Sequence, residues 1–379
     1  MTGRQHRPEY AHVPMAPPAA SRRTFLKGLA GAAAGLAAAG CGARWLPAVM
    51  NGTGTPTPAM PKVAIAQATG YDRSLIQART REMLDSLGGL RDIVQAGDKV
   101  AIKTNLTGGL YFQPRPGSTA IESYLTHPEV VRAVGELLRD AGAREIFIVE
   151  AVYDKESYAV FGYEDVARDL GATLVDLNRP DPYGDFASTP VGPNPFVYGE
   201  FTFNHILEDV DAFISVAKMK CHANAGVTHS MKNLIGLVPA AMYALSPDHW
   251  WRSALHGADS GRARLPRVIV DLNRARPIQL SVIDGVMTGE AGEVPRDNNS
   301  FKPVQPGVLL AGKNAVCTDA VATAVMGFDP TADYPNQPFL HGDNHLNLAH
   351  SVGLGTNRLE EIQVVGPAIQ DVRYPFRPA

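Results

Sequence analysis

Apolar residues recur along this chain in two periods. Short runs rich in Val, Ile and Ala at 62–68, 99–104, 144–150, 173–177, 211–216, 278–283, 307–311 and 361–365 read as buried strands. Stretches with helical spacing lie between them at 74–87, 126–142, 163–170, 265–274 and 315–326, several opened by a capping residue or closed by glycine. Strands alternating with helices predict an α/β fold, with a mostly parallel sheet, flanking helices and scope for two lobes. The segment 196–203 alternates Phe196, Tyr198, Phe201 and Phe203 loosely and reads as an edge strand or hairpin.

Polar residues gather where strands are expected to end. The run 211–216 empties into Lys218, Lys220 and His222, and 99–104 ends in Lys103, Thr104 and Asn105. After Gly226 the pattern changes, with Thr228 placed to cap a helix that carries His229, Lys232 and Asn233 outward and Leu234, Ile235 and Leu237 inward. In open α/β sheets ligands bind beyond the carboxyl ends of strands, so this junction is the expected site.

Lys103, Lys218, Lys220 and Lys232 would bring four cations to one sheet edge. Unpartnered, they would repel, so carboxylates or a bound anion should sit among them. The expected ligand is a small carboxylate or phosphate held by Lys103, Asn105, Lys218, Lys232 and Asn233, with Asp284 as counter-charge. The plainer alternative is a set of solvated lysines on loop rims. Lys220, His222 and His229 are the candidate acid and base groups. His222 and His229, with Glu290 or Asp284 supplying oxygen, are also a weak candidate set for a divalent metal, since their spacing matches no fixed zinc motif. A core or capping role suits either histidine equally well.

Further residues are singled out by context. Asp319 lies within an apolar helical pattern and needs a partner, for which Lys103 and Asn314 are candidates. Cys221, between Lys220 and His222, is either a thiolate favoured by positive charge or a small buried hydrophobe. His249, Trp250, Trp251 and His256 could cover the site as a lid, or lie on a surface helix.

The first forty residues change the picture of where the protein works. Ser21-Arg22-Arg23-Thr24-Phe25-Leu26-Lys27 precedes an Ala/Gly/Leu stretch too short and too weakly apolar for a membrane span, the order of a twin-arginine export signal. Ala38-Ala39-Gly40-Cys41 resembles a lipoprotein processing site although Ala38 replaces the usual leucine, which implies lipidation of Cys41, with cleavage near Ala39 as the alternative. The expected organisation is a signal over 1–41, a flexible Gly/Pro/Thr-rich tether over 42–61, an α/β domain over 62–368 and a tail over 369–379. The expected location is extracytoplasmic, either membrane-anchored or periplasmic, and the expected partners are the export machinery and the membrane.

Composition narrows the classes. A net charge of -3 argues against nucleic-acid binding. With Cys41 set aside, Cys221 and Cys317 remain, one pair at most and no CxxC, which leaves no self-contained iron–sulfur motif. No phosphate-cradling GxxxxGK or dinucleotide GxGxxG stands at a strand-to-helix junction.

The ordered motifs Ile102-Lys103-Thr104-Asn105, Lys218-x-Lys220-x-His222, Thr228-His229-x-x-Lys232-Asn233-Leu234-Ile235-Gly236, Ile283-Asp284-Gly285 and Cys317-Thr318-Asp319-Ala320-Val321 resemble the family of the domain of unknown function DUF362. The likeness extends over 62–366 and implies an α/β fold. It also implies a distant similarity to nickel-dependent lactate racemases, and hence a small anionic substrate. The resulting expectation is an exported enzyme acting on such a substrate, against a non-catalytic anion- or metal-binding lipoprotein or an accessory protein of a membrane redox complex.

Overall fold

The computed structural model describes residues 60–246, 251–257, 262–297 and 300–379. The twin-arginine signal, Cys41, His249 and Trp250 lie outside the described residues. No described helix is long and apolar enough to cross a membrane.

Among the described residues twelve strands form: β1 Lys62–Gln67, β2 Lys99–Lys103, β3 Glu145–Glu150, β4 Thr173–Asp176, β5 Phe186–Pro190, β6 Glu200–Asn204, β7 Ala212–His222, β8 Gly226–Thr228, β9 Leu280–Glu290, β10 Lys302–Val304, β11 Val308–Gly312 and β12 Gln363–Val365. The main sheet has ten strands along the path β12-β1-β11-β9-β7-β2-β3-β4, with β8 added to β7 and β10 to β9. From β9 to β4 every neighbour is parallel, while β11 runs against both β9 and β1. β5 and β6 form a separate hairpin. The expected α/β fold with a mostly parallel sheet is therefore present.

Chain order fixes where the sheet opens. From β2 the chain crosses through helix Pro128–Ala141 to β3 on one side, and from β7 it crosses through helix Arg264–Ala275 to β9 on the other. The first helix starts as its sequence predicts: His127 caps the Glu129 N–H through Nδ1 at 3.2 Å, Pro128 occupies the first turn, and Gly142 ends it at φ 114°. The crossovers diverge between β2 and β7, and that divergence leaves a crevice at their carboxyl ends.

Apolar side chains cover both faces. Ile102, Ile214 and Val216 pack with Ile76, Val130 and Val134 beneath the first helices, whereas Ala101 and Phe213 pack with Phe201, Phe203, Val268 and Leu272 on the opposite face. Farther along, Met219 and Cys221 join Val321 and Val325 of helix Ala315–Val325. Alternation along β7 thus puts Lys218 and Lys220 on the Ile214 face and Met219 and Cys221 on the other.

Two expectations about local structure are corrected. β7 does not stop at Val216: all eleven residues through His222 are buried strand, so the lysines belong to the strand itself. Thr228 caps no α-helix, because Gly226–Thr228 pairs with β7 and the following Lys232–Leu237 is a single stretch of 3-10 helix.

Candidate active site

A cleft of about 1260 Å³ opens at the crevice. Its floor is built from the exits of four adjacent strands, with Lys103 at the end of β2 and Asn105 just past it, Glu150 at the end of β3, His222 at the end of β7 and Glu293 just past β9. Lys232 and Asn233 enter from the 3-10 turn, and Arg252 and His256 border the cleft from the opposite wall.

Two buried ion pairs organise the floor. Lys103 Nζ lies 2.9 Å from Glu150 Oε2 and also donates to the Thr104 carbonyl and to Asn233 Oδ1. Gly236 permits this arrangement, since a Cβ there would stand 2.2 Å from Glu150 Oε1 and 2.7 Å from Lys103 Nζ. In the second pair Glu293 accepts from Lys232 Nζ at 2.9 Å through Oε1 and from His222 Nε2 at 3.2 Å through Oε2. Burial alone would raise the Glu293 pKa, but the Lys232 ammonium and the His222 bond outweigh it and hold the carboxyl well below its usual range.

His222 is committed on both nitrogens. Its Nδ1 accepts the backbone N–H groups of Asn224 and Ala225 at 3.1 and 3.2 Å, which leaves the proton on Nε2 facing Glu293. Burial and the neighbouring Lys232 push its pKa down to about 4. It therefore orients Glu293, and has no uncommitted nitrogen with which to bind a metal or take a proton.

His256 is different. Its Nδ1 is 3.4 Å from the Arg252 carbonyl, its ring faces that of His222 at 6.4 Å, and Trp251 meets it edge-on at 5.1 Å. Burial, then His222 and Lys232, lower its pKa to about 4, so it is neutral at pH 7 and its Nε2 remains as an acceptor. Trp251 and His256 border the cleft, as a lid requires.

Arg252 is buried, with 3% of its surface exposed, and sits at φ 60°. Its Nε donates to Val238 O at 3.0 Å and its Nη2 to Ala151 O at 2.6 Å, and the guanidinium lies 5.7 Å from the Tyr153 ring centre. Among the described residues no carboxylate is hydrogen-bonded to it.

The lysines do not converge. Lys103 and Lys232 border the cleft, while Lys218 and Lys220 lie within the fold on the other face of the sheet from Lys103. Lys218 pairs with Asp284 at 2.9 Å, both fully buried, and also donates to the Tyr71 hydroxyl and the Ile121 carbonyl. Asp284 further accepts from the Tyr71 hydroxyl and from the His127 N–H at the start of a helix, a favourable place for a carboxylate. Asp284 is thus the expected counter-charge, but for a structural lysine. Lys220 donates to Asn105 Oδ1 at 3.2 Å and Tyr124 O at 2.9 Å, and burial lowers its pKa to about 7. Asn105 also donates to Asn233 Oδ1 at 3.0 Å, linking this interior lysine to the cleft floor. All four lysines are buried, so they are not solvated rim residues.

The remaining candidates separate as well. His229 is fully buried with Nε2 3.1 Å from Met326 Sδ, away from the cleft lining, and Glu290 pairs with Arg377 at 2.7 Å. His222, His229 and Glu290 therefore have separate partners, and among the described residues no three His, Cys, Asp or Glu side chains form a metal-sized group. Asp319 pairs with neither Lys103 nor Asn314; its two oxygens accept the Ser230 and Met231 N–H groups at 2.9 Å each. Cys221 and Cys317 are free, and burial pushes their thiols up to about 12 and about 11, so Cys221 is a buried hydrophobe rather than a thiolate.

The model of a domain of unknown function, DUF362, matches residues 100–324, a stretch that includes every floor residue named above. A thylakoid-associated protein of Synechocystis sp. is 29% identical over 268 residues, covering 71% of this chain and 75% of its own length. Two solved structures are similar in part. A Thermotoga maritima protein shares 15% identity at a TM-score of 0.33, over 66% of this chain and 57% of its own. The lactate racemase apoprotein of Thermoanaerobacterium thermosaccharolyticum shares 11% at 0.35, over 65% and 54%. The chain thus spans little more than half the length of either structure.

Proposed function

From the premise that the chain belongs to the DUF362 family, we propose that it is an enzyme that binds an organic anion in this cleft and moves a proton on it. The observation that carries the reading is Arg252. A guanidinium removed from water is costly unless a negative charge compensates it, and here its bonds go to carbonyls at the wall of an open cleft. A carboxylate or phosphate beside Arg252 supplies that charge. The two ion pairs on the floor are already neutralised, so they hold shape rather than compete for the ligand.

The proton chemistry falls to two groups. His256 is the acceptor, a neutral imidazole near pH 7 beside the bound anion. Glu293, held between Lys232 and His222, fixes the His222 ring that His256 faces. The arginine-pair leader and Cys41 support an extracytoplasmic setting at a membrane, and the Synechocystis relative is a thylakoid-associated protein.

Calorimetric titration of the purified protein with short carboxylates and with inorganic phosphate tests the reading. Binding should weaken at least tenfold in Arg252→Gln, with folding verified by circular dichroism. A bound acid with an acidic C–H should exchange it for deuterium in heavy water, and His256→Asn should bind but not exchange. No anion binding would refute the proposal; binding without exchange would leave a binding protein.

A further inference from the structure

Three of the large hydrophobic side chains that stay exposed border this cleft: Leu110 at 36%, Tyr111 at 50% and Trp251 at 40%. Single exposed apolar residues are ordinary on a surface, but several around one opening mark a place where apolar material docks. Two of the rings each touch one other ring. Tyr111 stands edge-on to Phe112 with centroids 5.0 Å apart, and Trp251 stands edge-on to His256. Phe112 in turn carries the Arg296 guanidinium 5.4 Å from its ring centre. The exposed ring faces offer stacking surface, which favours planar partners.

Size points the same way. Sites for drug-sized ligands enclose roughly 300–1,000 Å³, and this cleft, at about 1260 Å³, lies above that range. A three-carbon acid occupies the room of only a few waters, each about 30 Å³, and would leave the aromatic rim untouched. Buried charge lies at Arg252, and at the mouth the exposed rings share the rim with Arg115, Arg296 and Asp297.

Resting on the anionic reading above, we propose that the ligand is an organic anion with an extended aromatic body, its charged group at Arg252 and its rings against Tyr111 and Trp251. The small anion expected from sequence is then only the head of the molecule. The rim selects the body, and Arg252 selects the charge.

The test titrates the full chain with lactate, benzoate, 2-naphthoate and the neutral 2-naphthamide. Affinity should rise from lactate to 2-naphthoate by at least tenfold and fall again for the amide. Trp251→Ala and Tyr111→Ala should each remove most of the gain of 2-naphthoate over lactate, and Arg252→Gln should weaken every acid. If lactate and 2-naphthoate bind equally, or if the gain survives in both alanine variants, the aromatic body is refuted while the anion site stands. If no acid binds, or the amide binds as well as the acid, the anionic reading falls and takes this one with it.

Discussion

Removing the charge of Glu150 while keeping its shape should expose how the cleft floor is held. In Glu150→Gln the amide oxygen can still accept the Leu106 N–H, which the carboxylate accepts at 2.9 Å, but Lys103 loses its counter-charge in a site where its side chain is 1% exposed. Burial already pushes the Lys103 pKa down, and Glu150 is the chief influence that pulls it back. Breaking such a pair costs about 3–5 kcal/mol. The upper bound follows from letting Lys103 fold neutral: about 1.4 kcal/mol per pH unit below a free lysine pKa of about 10.4, or about 4.6 kcal/mol near pH 7. With unfolding entropy of about 2.1 cal/mol/K per residue, a domain of roughly 300 residues should melt about 5–8 °C lower. The sign with pH is also fixed. In the variant the folded Lys103 pKa falls further, so between that value and the wild-type folded value the unfolded variant binds the extra proton. Stability of the variant then rises with pH while that of the wild type does not, and the deficit narrows. Urea unfolding of both proteins from pH 6.5 to pH 9.5 measures it. A deficit constant across that range, or none, would refute the account of Lys103 as a desolvated cation dependent on Glu150.

Gly236→Ala should destabilise the fold by about 1–3 kcal/mol through overpacking, because its Cβ would overlap Glu150 and Lys103; chemical unfolding reads this, and no change would mean that the ion pair can move aside. Lys220→Met should flatten the rise of stability between pH 7 and about pH 10 that a lysine with a folded pKa of about 7 contributes, since its proton is bound more tightly in the unfolded chain. A slope unchanged in denaturant titrations would place the charge elsewhere. Cys221 and Cys317, buried with pKa values near 12 and 11, should resist iodoacetamide at pH 8 until the protein is denatured, as mass spectrometry would show.

The order of strands and helices was legible because core-facing residues repeat with clear periods, and a cleft lies at the sheet edge that the crossover rule picks out. Side-chain partnerships were not. Lys218 and Lys220 look in sequence like residues leaving a strand, but the fold buries them beside Asp284, Asn105 and Tyr124, partners 66 or more residues away that no local pattern shows. Glu150 carried a usable signal, as the last residue of a strand exiting at the same edge as Lys103. Arg252 carried none: its position depends on a left-handed backbone and on carbonyls of Val238 and Ala151 brought together by the fold. His222 was placed correctly at the edge, but the two amide donors that occupy its Nδ1 come from a turn whose geometry sequence does not specify.

The continuous burial of β7 has a consequence for how the chain finds its structure. A slip of one residue would carry Lys218 and Lys220 into the layer where Met219 and Cys221 meet Val321, and would turn Met219 toward the Asp284 carboxylate. Every slip of this central strand by an odd number of residues would strand two charges in hydrocarbon and leave an acid unmatched. The polar residues that border and underlie the cleft therefore act as a proofreading code for sheet assembly, and substitutions that make β7 uniformly apolar should lower the fidelity of folding even where they leave its final stability intact.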